Sequence, residues 1–242
     1  MLSIITADYH THTVYSHGTG SVEENVLSAI EQGICEIGIS DHGFRQIAHG
    51  ISKKGYLKQA DEIRMLNEKY DSIRILSSVE ANIVGTDGSI DMKQEWISKL
   101  DYLIAGFHRT AVPWRLKDLV NIQFAAIFSP RNARKNMTEA DVAAINKNGL
   151  MFITHPGEYI AVDMKRVAEA AFNRNVLIEI NNKHPMSKQD LRIANEAGCR
   201  FVLSSDAHRP EDVGHVEHAY DAALSAGIEG DRIINLRKDL LK

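Results

Sequence analysis

Seven short apolar runs punctuate this chain, and nearly all of them end in a histidine, a carboxylate or an asparagine. They are IITADYHTH (His10, His12), CEIGISDH (His42), IRILSSVE (Glu80), DYLIAGFH (His108), LMFITH (His155), VLIEINN (Asn181, Asn182) and RFVLSSDAH (Asp206, His208). Runs so rich in Ile, Val, Leu and Phe are too apolar for a sheet wetted on one side and suit parallel strands buried on both faces. In an α/β barrel the C-terminal ends of such strands converge on one face, the face that carries chemistry. The pattern therefore predicts an α/β protein with a distorted seven-stranded (β/α)7 TIM-like barrel, one domain spanning 1–242. Imidazole and carboxylate delivered together are the ligands of zinc, manganese and iron, so the chain reads as a metalloenzyme.

Helical patterns separate the runs. Ser21-Val-Glu-Glu24 predicts a capping box opening a helix over Val22–Gln32, ended by Gly33, and Ser187-Lys-Gln-Asp190 opens another that runs to Glu196 before Gly198. Further helices are expected over Leu57–Lys69, Lys93–Lys99, Glu139–Asn148, Met164–Arg174 and Glu211–Ala226. The stretch Arg109–Pro130, with a helical run Leu116–Phe128, is too long for a simple loop and is expected to pack over or beside the active face. Pro130–Asn136 reads as a polar connector.

Composition narrows the function classes. A formal charge of −4 argues against bulk electrostatic binding of extended nucleic acid. The start MLSIITADYH lacks the features of a signal peptide and no run reaches membrane-spanning length, so a cytoplasmic location with no membrane partner is the expectation. Cys35 and Cys199 each begin an apolar run and read as buried free thiols, with a disulfide or metal pair as the lesser alternative.

Within the runs, strand alternation points Asp8, His10 and His12 the same way, so two imidazoles could grip one cation while Asp8 orients His10. Asp206-Ala-His208 repeats this geometry near the other end. An acidic residue directly after RFVLSS is a burial liability without a cation, and as a helix cap Asp206 lies too far upstream. Asp41 and His42 face opposite ways, and His42 is the one expected at the shared site. Glu80 could bridge two cations, which a single imidazole cannot. His17 follows the first strand in a loop from which it could reach back. Of eleven histidines, His49, His184, His215 and His218 have no strand-end address, although His184 follows the sixth run closely.

These residues, in this order, resemble the polymerase-and-histidinol-phosphatase (PHP) family of metal-dependent phosphoesterases. The matching motifs are D-x-H-x-H-T (Asp8 to Thr13), Asp41-His42, the Glu80 of VEAN, His108, His155 and the SSDAH of Ser204 to His208, which span nearly the whole chain. The stretches from Glu80 to Asp91 and from Glu179 to Asn182 resemble the stand-alone bacterial phosphatase branch. The resemblance implies three divalent ions (Zn, Mn or Fe). His10 and His12 would hold the first with Glu80 and Asp206, Glu80 would bridge to a second completed by His108 and His155, and His17, His42 and His208 would hold the third.

That likeness implies hydrolysis of a small phosphate monoester by a metal-bridging hydroxide at a trinuclear site, with Glu80, Asp206 and His208 as the catalytic groups. Arg109, Lys183 and Arg209 are candidates for phosphate contact, with a structural ion pair as the equal alternative for Arg109. Histidinol phosphatase, a 3′–5′ exonuclease or phosphodiesterase, and a non-catalytic metal-stabilised interaction protein are the rivals. An amidohydrolase barrel also opens with H-x-H, but would call for histidines where strand six here ends in asparagines.

Overall fold

The computed structural model describes residues 3–237; the first two and last five residues of the expected 1–242 unit lie outside it. Its strands are β1 (Ala7–Thr11), β2 (Glu36–Ile39), β3 (Arg74–Ser77), β4 (Glu80–Asn82), β5 (Ile104–Gly106), β6 (Phe152–Ile153), β7 (Leu177–Asn181) and β8 (Phe201–Ser204). Every pairing is parallel, in a three-stranded sheet β1-β2-β3 and a five-stranded sheet β4-β5-β6-β7-β8. Strands β4, β5, β6, β7 and β8 are buried throughout, as their apolar sequences require.

Eight strands in two sheets stand where the seven apolar runs predict seven, because the run IRILSSVE changes partners midway. Arg74–Ser77 pairs with β2, whereas Glu80–Asn82 pairs with β5. A strand that serves two sheets must bend between them, and the bend falls at Ser78-Val79. Isolated parallel bridges join the sheets at both seams, Thr11 to Ala207 and His42 to Glu80. Both seams lie at the strand ends that carry the histidines.

Helices α1 (Val22–Glu31), α2 (Lys53–Lys69), α3 (Gln94–Ile97), α4 (Leu116–Asp118), α5 (Ala125–Phe128), α6 (Pro130–Lys147), α7 (Met164–Arg174), α8 (Lys188–Glu196) and α9 (Glu217–Ala226) fill the connections. The capping box forms as read: Ser21 Oγ accepts from Glu24 N at 3.2 Å, and Ser21 N donates to Glu24 Oε2 at 2.7 Å. At α8 only half of the expected box forms: Ser187 Oγ accepts from Asp190 N at 3.1 Å, and the Asp190 carboxylate accepts from the Ser187 hydroxyl, not from its backbone N–H.

Several expectations are revised. Pro130–Asn136 is not a connector but the first turns of α6, with Pro130 in the opening position where its missing N–H costs nothing. Leu116–Phe128 is broken into α4, a wider π-helical segment Leu119–Phe124, and α5. Of Arg109–Pro130, Arg109 and Thr110 line the histidine cavity, whereas Leu116–Phe128 packs on α6 and none of its described residues lines that cavity. Helix α9 begins at Glu217 rather than Glu211, after a single turn at Pro210–Asp212 and a left-handed Gly214. Cys199 is buried and Cys35 exposed, both as free thiols, so the buried-thiol expectation fails for Cys35.

Gly38 in β2 marks a close approach. A Cβ there would lie 1.6 Å from the Tyr102 hydroxyl, which donates to the carbonyl of Tyr9 at 2.5 Å and braces β1. Gly38→Ala is expected to destabilise the protein by about 2–3 kcal/mol through overpacking. An unchanged thermal or urea unfolding midpoint would contradict this account of the floor of the sheet.

Candidate metal centre

Glu80 opens β4 at the seam between the sheets and sits at the middle of the histidine cluster. Its Oε1 accepts from the Thr154 hydroxyl at 2.8 Å, and lies 3.0 Å from His155 Nε2 and 3.4 Å from His108 Nε2. Its Oε2 lies 3.3 Å from His10 Nε2 and 2.9 Å from His42 Nδ1, yet neither Glu80 Oε2 nor His42 Nδ1 makes a hydrogen bond. Asp206, at the end of β8, places Oδ1 3.1 Å from His12 Nε2 and 3.5 Å from His208 Nδ1. Three compact donor groups result: His10, His12 and Asp206; His42, Glu80 and His108; and His12, His42 and His208, with one donor atom from each residue of a group within 4.8 Å of the others.

His155 joins the cluster through Glu80. His17 falls outside the three compact groups, although its ring lies 4.2 Å from that of His208 and 4.8 Å from that of His42. Its loop is held by Asp41, which accepts from the backbone N–H and hydroxyl of Thr13 and from the hydroxyl of Ser16. So Asp41 faces away from the cluster, as strand parity requires, and still serves it.

Asp8 does not orient the His10 ring. Its carboxylate accepts from the His10 backbone N–H at 3.4 Å, and otherwise from the Ser205 hydroxyl and from Gly214 N at 2.9 Å. Glu179, in the middle of β7, has that role instead: its Oε1 accepts from His10 Nδ1 at 2.6 Å and from Ser204 Oγ at 2.6 Å, and its Oε2 accepts from His155 N at 2.7 Å. On the opposite side Asp91 accepts from Asn82 Nδ2, and Asn82 Oδ1 faces His108 Nδ1, each at 2.8 Å. Both arrangements leave a histidine Nε2 turned toward the cluster, the usual way that outer hydrogen bonds orient ligand imidazoles. A carboxylate amid the apolar residues of VLIEI was the available signal for Glu179. Asn82 and Asp91 lie in the stretch from Glu80 to Asp91 that carries the family resemblance, but only the fold shows their bond to each other and to His108.

Burial alone would raise both carboxyls, but His108, His10 and His42 hold Glu80, and His10 and His12 hold Asp206, well below the usual carboxylate range. Burial and neighbouring imidazoles push His12 well down, His42 to about 4 and His17 to about 3. Burial also lowers His10 and His155, but there the carboxylates win: Glu80, Glu179 and Asp206 lift His10 well above its ordinary value, and Glu80 leads in raising His155 to about 8. Ionised Glu80 and Asp206 beside neutral His12, His17 and His42 are in the protonation state that a cation requires, whereas His10 and His155 must first give up a proton. With Glu80 Oε2, Asp206 Oδ1, His12 Nδ1, His17 Nδ1 and His42 Nδ1 all buried and without hydrogen bonds, the residues fit divalent ions.

The cluster floors a cavity of about 270 Å³. Arg109 stands on its rim, donating to the Tyr159 carbonyl at 3.2 Å with its guanidinium 5.8 Å from the centre of the Tyr159 ring. Lys183 and Arg209 are not among its lining residues: Lys183 Nζ lies 3.2 Å from His208 Nδ1, and Arg209 is forked onto Asp212 at 2.8 Å. His184 lines the cavity, with Nδ1 3.2 Å from Glu158 Oε1. So does His49, which the sequence gave no reason to place there.

Two outcomes follow. Glu179→Gln is expected to lower zinc or manganese affinity about 10–100-fold, read by competition with a chromogenic chelator; unchanged affinity would contradict the orienting role. Because His10 and His155 hold protons above the ordinary imidazole value, cation binding near pH 7 must release protons, and apparent affinity must rise with pH. Calorimetric titration in two buffers of different ionisation enthalpy should give different heats, and equal heats would show that no proton leaves.

A profile of the PHP domain matches residues 8–183. A protein of Thermoanaerobacter pseudethanolicus named as a probable phosphatase is 29% identical over 242 residues, covering 96% of this chain and 90% of the relative. A Shewanella loihica protein of the same name is 29% identical over 239 residues, covering 94% and 88%. Among solved structures, the histidinol phosphate phosphatase of Lactococcus lactis, complexed with zinc, L-histidinol and phosphate, superposes with a TM-score of 0.64 at 16% identity, covering 93% of this chain and 95% of that one. By the extent of the profile match and the agreement in fold, this chain belongs to the PHP domain family.

Proposed function

We propose that the chain is a phosphatase that hydrolyses monoesters of small molecules with three divalent cations (Zn, Mn or Fe). The observation that carries the reading is Glu80, a buried carboxylate whose two oxygens face separate sets of imidazoles, His10 and His42 on one side and His108 and His155 on the other. One cation would take His10, His12, Glu80 and Asp206, a second Glu80, His108 and His155, and a third His17, His42 and His208. When bound, the cations supply Lewis-acid stabilisation of the phosphoryl oxygens and acidify the attacking water.

The protein's own groups do the rest. Glu80 and Asp206 stay ionised although buried because imidazoles surround them, and so keep two negative charges fixed where cations are needed. Glu179 and the Asn82–Asp91 pair lock ring orientations, so that little reorganisation is left for the reaction itself. His208, on the edge of the cavity, is turned by its Nδ1, which lies 2.8 Å from the Asp206 carbonyl. Arg109 on the rim would meet a phosphate oxygen, whereas Arg209 is committed to Asp212, and Lys183 lies beside His208 and that same carboxylate.

The cavity's size favours a small ester, since pockets for small molecules run from roughly 300 Å³ upward. The relatives named as probable phosphatases support the same class of reaction. With β3 and β4 counted as one bent strand, the architecture also supports a single distorted (β/α)7 barrel.

Zinc- or manganese-loaded protein should hydrolyse p-nitrophenyl phosphate, lose that activity to a chelator and regain it on cation return. Glu80→Gln should lower kcat/KM on the order of 10²–10³-fold and reduce the cation content found by elemental analysis. Full cation content with no turnover of any phosphate ester would refute the proposal.

A further inference from the structure

The outer wall of the cavity holds polar groups that the ligand set leaves unused. Gln46 is only 9% exposed, and its Oε1 is buried without a hydrogen-bond partner. His49 Nδ1 is likewise buried and unpartnered, and both residues line the cavity beside Thr110. Neither belongs to the compact donor groups, although the His49 ring sits 4.5 Å from that of His17. Buried polar atoms are almost always hydrogen-bonded, so two orphans on one wall mark a place where a ligand supplies the missing partner.

The loop that carries them is fixed. Ile47 N donates to the Thr110 carbonyl and Gly50 N to the Gln46 carbonyl, each at 3.0 Å, while Val112 N donates to the Arg45 carbonyl at 2.8 Å. Between the two residues Ala48 sits at φ 64°, a region unfavourable for any side chain but glycine, and this turn sets His49 against the cavity. Gly50 has no room to change: a Cβ there would lie 2.5 Å from the Gly43 carbonyl.

The chemistry of the wall selects its ligand. A glutamine amide and an imidazole each donate and accept, as a hydroxyl does. An apolar leaving group would leave both orphans buried and unpaired. A cationic one would call for a carboxylate, yet the carboxylates among the described lining residues are Glu80 and Asp206, both in the cation-holding groups. We propose that Gln46 and His49 form a leaving-group subsite that hydrogen-bonds the hydroxyls of a polyol or sugar, making the substrate a phosphate monoester of a polyhydroxylated alcohol. This rests on the phosphatase reading and specifies its substrate class.

The test compares wild type, Gln46→Leu, His49→Ala and His49→Gln, all cation-loaded, on glycerol 1-phosphate, glucose 6-phosphate, histidinol phosphate and p-nitrophenyl phosphate. In wild type, a polyol or sugar phosphate should outrank histidinol phosphate. In Gln46→Leu and His49→Ala, the kcat/KM ratio of that ester to p-nitrophenyl phosphate should fall about 10-fold, the loss of roughly one hydrogen bond, and fall through KM. His49→Gln, which keeps a hydrogen-bonding amide, should recover most of the ratio. His49→Ala, at a half-buried position, carries the comparison if Gln46→Leu does not fold. Turnover with unchanged ratios, or a preference for histidinol phosphate, would overturn the subsite alone. No turnover of any ester would bring down the phosphatase reading and the subsite with it.

Discussion

The structure is organised around the compensation of one buried charge. Glu80 is 1% exposed, and an ionised carboxylate taken so far from water costs several kcal/mol unless opposite charge meets it. The fold answers by bringing the ends of several strands to it, so that imidazoles from positions 10, 42, 108 and 155 face its two oxygens. Asp206 repeats the arrangement against His12. Protons on His10 and His155 balance part of this charge in the cation-free protein. The same atoms cannot hold both a proton and a cation, so the cluster is a place where the two compete. Its carboxylate content sets how strongly each is drawn in.

Around that charge lies a layer whose work is direction. Glu179 uses both oxygens on the cluster, one for the His10 ring and one for the backbone of His155. His155 (φ 28°) and Asp206 (φ 54°) occupy the left-handed region although neither is glycine. Such residues cost roughly 1–3 kcal/mol each and persist where surroundings over-determine them. Here the determinants are visible: the Glu179 bond to His155 N, and Asn181 Nδ2 donating to Asp206 Oδ2 at 3.1 Å. Strain at these two strand ends turns their side chains toward the cluster.

The legible part of the chain was the part written as strand ends. His10, His12, His42, His108, His155 and Asp206 follow apolar runs that can only be buried strands, and parallel strands deliver their C-terminal residues to one face. The helix caps at Ser21 and Ser187 were equally readable, because the signal is local and its hydrogen bonds form within four residues. What stayed hidden depended on partners distant in sequence. The bend that splits the third strand follows from its pairing with β2 and then β5, and the partners of Asp8 are Ser205 and Gly214, far along the chain, rather than the neighbouring His10 ring. Strand parity predicted which way Asp8 points without knowing what it would meet. Glu179 shows the reverse case: a charge inside a buried strand is a readable anomaly, though only the fold names His10 as its partner.

Ligands and wall also differ in where they are built. The cluster stands on strand ends and their hydrogen-bonded supports, which tolerate little change without loss of the whole arrangement. The wall stands on two segments after β2 and β5, laced by the antiparallel bridge from Gln46 to Ala111 and by Arg45, which donates from Nε to the Val112 carbonyl at 2.8 Å. Loops of this kind change residue by residue while the scaffold beneath them stays fixed. The proposed subsite would leave the chemistry of phosphate to the strands and the choice of alcohol to the loops. On that division, relatives could share every cation ligand and still act on different esters, so the identity of residues 46 and 49 carries more information about substrate than the histidines do.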